Sequence, residues 1–154
     1  MTLEDVGDNL FAVFVRSLQL NDALYALVGD RIIAGIQVSS AEPYLVSGPC
    51  VSVQRMRETL AIKDQGYEDQ YRTMCEFKYG VYAISKEHEE EAHRVSRTIQ
   101  EQLHLNNAVV QMGYNGEEYN LIIKNTGEDP DFQNNTSFFV DAIVVDGFTM
   151  IKII

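Results

Sequence analysis

A chain of 154 residues can bury one hydrophobic core and is too short for two comfortable domains. Its 45% hydrophobic and 23% charged residues are ordinary for a globular protein, and no apolar run approaches the roughly 18 residues of a membrane span. The net charge of −11 argues against holding DNA through phosphate contacts, because lysine and arginine supply that affinity.

In chain order, Thr2 to Gln19 reads as a first helix. Thr2 can cap it, with Asp5 three residues on, and Val6, Leu10, Phe14 and Leu18 recur at intervals of four. A short second helix follows, with Asn21 as cap, Leu24, Leu27 and Val28 as its apolar side, and Gly29 as its stop. Arg31-Ile32-Ile33 reads as an edge strand. Pro43 suits the start of an extended region from Tyr44 to Arg57, with a bulge or bend at Gly48-Pro49. Glu58 to Gln70 reads as a long polar hairpin connection with Gly66 near its tip, and its length makes it a candidate contact arm.

The organising stretch runs from Tyr71 to Leu105. Tyr71, Thr73, Cys75, Phe77, Tyr79, Val81 and Ala83 alternate on one face of a long strand. Ser85 can then cap a helix to His104, with Ala92, Val95, Ile99 and Leu103 in one stripe and Asn106 and Asn107 at its exit. Val109–Met112 and Tyr119–Lys124 flank Asn115-Gly116, a tight-turn signal. Thr126 to Thr136 reads as a polar loop. Phe138–Val145 and Thr149–Ile154 read as a closing hairpin about Asp146-Gly147. These elements predict one α+β domain over residues 1–154: a layered, mainly antiparallel sheet of about four to six strands packed against two main helices.

Candidate chemistry is sparse. His88 and His93 are five positions apart, so their rings project about 140° from one another on a regular helix and cannot share a metal there. Asp129-Pro130-Asp131 lacks the glycine and the terminal acid of a calcium loop. Asn134-Asn135-Thr136 and Asn135-Thr136-Ser137 match the glycosylation pattern, but Met1-Thr2-Leu3-Glu4-Asp5 lacks the basic start of a secretory signal. Cys50 and Cys75 form no Cys-x-x-Cys pair and read as buried, reduced thiols. No phosphate-cradling loop or nucleophile elbow is present. The expectation is a protein with no enzymatic activity, metal or cofactor.

One segment carries a family signal. Ala23-Leu24-Tyr25-Ala26-Leu27-Val28-Gly29-Asp30-Arg31-Ile32-Ile33-Ala34-Gly35-Ile36, then Pro43-Tyr44-Leu45-Val46, resembles the tail-completion (tail-terminator) proteins of long-tailed bacteriophages. The order of elements follows the family along nearly the whole chain, including Asp129-Pro130-Asp131 before the strand from Phe138. The chain departs from the pattern in the Thr126–Thr136 insertion and in a further C-terminal strand, Thr149–Ile154.

The resemblance implies a virion structural protein of the tail or neck, made in the host cytoplasm, that caps the tail tube and offers the head-joining surface. It also implies a homo-oligomeric ring, a hexamer by the family's habit, with the tail-tube protein and the head–tail connector as partners. DNA would pass its lumen without specific binding, and no membrane or cofactor would be involved. The expected contact residues are Lys63, Asp64, Gln65, Tyr67 and Glu68 on the first arm and Asp129, Asp131 and Phe132 on the second. Three other readings remain open: a head-closure or adaptor ring protein, an acidic DNA-mimic inhibitor, and a small enzyme with a pocket of convergent titratable groups.

Overall fold

The computed structural model describes residues 3–64, 71–105 and 109–153. Helix α1 (Leu3–Gln19) turns Val6, Leu10, Val13, Phe14 and Leu18 into the core, as the four-residue spacing requires. Helix α2 (Asp22–Val28) meets it at 75°. The Asn21 carboxamide oxygen accepts from the Leu24 N–H at 3.0 Å, and Gly29, at φ 58°, donates its N–H to the Tyr25 carbonyl at 2.8 Å. Both ends of this helix are therefore set by local chemistry legible in the sequence. Helix α3 (Glu89–Leu105) buries Ala92, Val95, Ile99 and Leu103, the expected stripe.

The described strands are β1 (Ile32–Ala34), β2 (Cys50–Asp64), β3 (Tyr71–Ser85), β4 (Val109–Tyr114), β5 (Glu117–Glu128) and β6 (Phe139–Ile153). They form one sheet in the order β1-β2-β3-β6-β5-β4. Only the β1–β2 pairing is parallel. The expected α+β layering is what the chain adopts.

One sheet face, called inner below, packs on the helices. Val51, Val53, Cys75, Phe77, Tyr79, Val81, Ala83, Leu121, Ile123, Ile143 and Val145 meet α1, α2 and α3 there. Phe77 stacks on Tyr79 at 4.8 Å, and Phe11 and Phe14 each lie 5.1 Å from the Tyr79 ring. Each such side chain contributes about 1.5–3 kcal/mol on full burial, so this face holds most of the stability.

The outer face is covered over only part of its length. Cys50, Tyr82, Ile84 and Ala142 lie beneath Val38, Ala41, Leu45 and Phe138 from the segments before β2 and before β6. The two cysteines thus sit in different clusters. Cys50 pairs in register with Ile84, nine residues along β3 from Cys75, a separation of roughly 30 Å. Both thiols are free and buried.

Several expectations are corrected. Glu42–Tyr44 is a 3₁₀ turn preceded by another at Val38–Ser40, and β2 begins only at Cys50. Pro43 serves the first turn of a helix, where its missing N–H costs nothing, and does not open a strand. Glu58–Asp64 is not a loop: it continues β2, paired residue by residue with Tyr71–Phe77. Ser85 ends β3. Its hydroxyl accepts from the His88 N–H at 3.2 Å, in the turn before α3.

Asp146-Gly147 is not a turn. It lies within the continuous strand β6, which pairs with β3 throughout, so no separate strand begins at Thr149. A Cβ on Gly147 would stand 2.4 Å from the Ile122 carbonyl oxygen and 2.6 Å from the Phe77 ring, so the glycine answers a close approach. The Asn115-Gly116 turn is as expected, with φ of 50° and 81°. The expected Thr2 cap and the Asn106-Asn107 exit lie outside the described residues.

Candidate interaction surfaces

Two bulges divide the sheet into a covered half and an open half. The β2–β3 register shifts between Arg55 and Arg57, and the β5–β6 register shifts between Ile123 and Asn125. They bracket the cross-strand row Arg57–Lys78–Asp146–Asn125. A bulge bends its strand and re-aims the residues that follow. With Met56 as the extra residue, Arg55 (opposite Tyr79) and Glu58 (opposite Phe77) both fall on the inner side, while Arg57 (opposite Lys78) falls on the outer.

That placement builds a polar anchor between β2 and α1. The Arg55 guanidinium donates to Asp8 at 2.5 Å and pairs with Glu58, and it lies 5.6 Å from the centre of the Phe11 ring. The Tyr79 hydroxyl donates to the second Glu58 oxygen at 3.1 Å. Glu58 keeps only 11% of its side chain exposed, so the network is shielded on one side. Burial, then the facing Glu58 carboxylate, pushes the Tyr79 phenol far above its usual value. The same two causes push the Cys75 thiol up to about 12, and burial raises Cys50 to about 11. Thiols held neutral in this way are poor nucleophiles.

Beyond the bulges, on the outer side, Met74 pairs with Met150, Glu76 with Phe148, and Phe148 with Ile122. Met150 and Ile122 are each 38% exposed. The Lys124 ammonium lies 5.6 Å from the centre of the Phe148 ring. The register continues to the paired positions Lys63, Arg72 and Lys152. Met74 and Phe148, beside Met150 and Ile122, are half-buried.

Of the expected contact residues, Lys63 and Asp64 close β2, paired with Arg72 and Tyr71. Gln65, Tyr67 and Glu68 lie outside the described residues. Asp129, Asp131 and Phe132 belong to the other end of β3. The Asp129 N–H donates to the Ala142 carbonyl at 3.0 Å, and its carboxylate accepts from the Asp131 N–H at 3.0 Å. The half-buried Phe132 ring sits 5.1 Å from Tyr82. Asp129 and Phe132 thus shape and anchor their own loop, and Asp131 is exposed. Because Asp64 pairs with Tyr71, and Ala142 with Tyr82 eleven residues away along β3, Lys63 and Asp64 stand roughly 35 Å from the Asp129 loop.

The histidine cluster resolves similarly. His93 Nδ1 lies 2.9 Å from an Asp141 oxygen and its Nε2 lies 3.5 Å from Glu89, which ties α3 to β6. Among the described residues no group of three or more His, Cys, Asp or Glu side chains could hold a metal ion. No single described helix is long and apolar enough to cross a membrane. The Asp8–Arg55–Glu58–Tyr79 network and the basic outer row were not visible beforehand. Their one sequence signal is the broken alternation of Gln54-Arg55-Met56-Arg57-Glu58.

No protein-family model matches the sequence, and no curated protein matches it. In fold the chain is similar to a chain from the virion of a native gene transfer agent (GTA) particle. The TM-score is 0.55 at 13% identity, covering 96% of this chain and 97% of that one. At that identity the likeness is one of fold.

Proposed function

We propose that this chain is a structural virion protein that caps the tail tube as a ring and forms the head-joining surface, without enzymatic activity. The observation that carries the reading is the end-to-end likeness of fold to a chain of a gene transfer agent virion. The sequence resemblance to tail-terminator proteins, over residues 23–36 and 43–46, supports it independently of the coordinates. Physical features agree with work by shape. Apolar side chains of the outer sheet face, Met150 and Ile122 among them, are left exposed. A net charge of −11 suits a wall that a polyanion must pass without adhering.

The test is genetic and microscopic. Particles assembled without this chain are expected to show tails of uncontrolled length that are not joined to heads. Tails of normal length joined to heads in its absence would refute the reading. Heads left open and leaking DNA beside tails of normal length would point instead to a head-closure ring.

A further inference from the structure

The outer face beyond the bulges has a composition at odds with the rest of the molecule. In a chain with 12 basic and 23 acidic residues, this face places the basic positions Arg57, Lys78 and Lys124, and by register Lys63, Arg72 and Lys152 at its far end, against three acidic ones, Glu76, Asp146 and Glu118. Met74, Met150, Phe148 and Ile122 run through its centre. Duplex DNA would favour a patch without acids or exposed apolar side chains. Apolar residues ringed by charge of one predominant sign fit a protein surface of the opposite sign.

This chain carries such a surface. Glu87, Glu89, Glu90 and Glu91 crowd the start of α3. Glu89 is engaged by His93 and Glu91 lies 3.5 Å from the Ser85 hydroxyl, whereas Glu87 and Glu90 are exposed and make no ion pair among the described residues. The α3 helix packs on the inner face, at the opposite end of β3 from Tyr71. The basic patch lies toward the Tyr71 end of β3 and the acidic patch beyond its Ser85 end, so one copy cannot satisfy itself.

We infer that the outer face of the distal sheet, with Arg57, Lys124 and Met150 at its centre, docks on the acidic start of α3 in a second copy of this chain. The contact is heterologous and head-to-tail, the type that closes into a ring when its rotation closes. It specifies the subunit contact within the ring reading above and rests on that reading. Four strands about 4.8 Å apart and some seven residues long present roughly 400 Å² of face, about half of the 800 Å² per partner that a stable pair buries. A single contact is thus weak and becomes firm only when each copy makes two.

The test is charge reversal with rescue. The wild-type chain is expected to self-associate in concentration-dependent sedimentation at low salt and to dissociate as salt rises. Arg57→Glu with Lys124→Glu, or Glu87→Lys with Glu90→Lys, should each weaken association at least about tenfold. An equimolar mixture of the two variants should recover it. Independently of those variants' stability, Met150→Cys in one copy and Glu90→Cys in another should be joined by a bifunctional maleimide, since the native thiols are buried.

A wild-type chain monomeric at every concentration, association indifferent to both reversals, or absence of the maleimide cross-link between the M150C and E90C copies would each overturn the inference. So would equal-salt binding of duplex DNA that is lost with the Arg57/Lys124 pair and leaves self-association unchanged. A chain that sets tail length yet fails the cross-link loses this contact and keeps the capping role. A chain that cross-links yet leaves tail length unaffected keeps the contact and loses the role.

Discussion

Replacing Gly147 by alanine tests the packing of the whole sheet. The new methyl would meet the Ile122 carbonyl oxygen at 2.4 Å and the Phe77 ring at 2.6 Å, both far inside contact distance. The carbonyl is backbone in the neighbouring strand β5 and cannot swing aside, and Phe77 is held by Tyr79 at 4.8 Å and Phe14 at 6.2 Å. Relief requires β5 or β6 to shift, so the cost lies at or above the upper end of the 1–3 kcal/mol usual for overpacking, about 3 kcal/mol. For a domain of this size that lowers Tm by about 6–12 °C. Gly116 supplies the control, because a Cβ there meets nothing within 4 Å and only its φ of 81° is strained. Gly116→Ala should cost about 1 kcal/mol, and Gly116→Asn only a few tenths. Gly147→Asn, by contrast, should be worse than Gly147→Ala. Urea unfolding of the four variants decides the matter. If Gly147→Asn were tolerated like Gly116→Asn, Gly147 would be turning the chain and the single-strand description of β6 would be wrong.

Three further outcomes follow from the same geometry. Tyr79→Phe should destabilise by about 1–2 kcal/mol and Glu58→Ala by at least as much, and the double variant should cost less than their sum, since both remove the Tyr79–Glu58 hydrogen bond; strict additivity in denaturant titration would refute the shared bond. His93 is raised above its ordinary 6.5 by the Asp141 hydrogen bond first and by Glu89 further down, so its contribution is full below that value and fades as pH climbs through the higher folded-state value. With half the side chain exposed, screening limits the effect to less than about 1 kcal/mol, and His93→Gln should flatten the fall in Tm above pH 6.5; an unchanged slope would count against it. Cys50 and Cys75, at about 11 and 12, should resist a thiol reagent at pH 8 until the chain unfolds. Prompt labelling of the native protein would contradict their burial.

What could be read from the sequence was local. Asn21 and Gly29 bound α2 through atoms within four residues of themselves, and the stripe Ala92–Leu103 needed only a helical period. The alternation of Tyr71–Ala83 likewise located β3. The misreadings arose where a local signal had two physical causes. Asn115-Gly116 and Asp146-Gly147 look alike on paper, yet the first needs positive φ and the second needs room for a neighbouring carbonyl. Polarity in Glu58–Asp64 resembled a loop, because a strand with an uncovered outer face keeps polar residues. The anchor was hidden altogether, since Asp8 and Arg55 are 47 positions apart and Glu58 and Tyr79 are 21 apart. The outer basic row depended on which way the Met56 bulge turned Arg57, a matter of register that composition does not carry.

The bulges also bear on how such a chain could assemble at the right place. Without the shift at Met56, Arg55 and Arg57 would share a face, and Glu58 would leave Tyr79 and α1. The inner anchor and the outer basic row are therefore two consequences of one inserted residue. The anchor ties β2 to α1 through Arg55 and Asp8, and a patch held in place loses little freedom when it docks. On the proposed docking, its small area makes a single contact weak, so free copies associate only as their concentration rises. On the capping reading proposed above, copies held side by side on a tube would face each other at high effective concentration, and the same contact would then suffice.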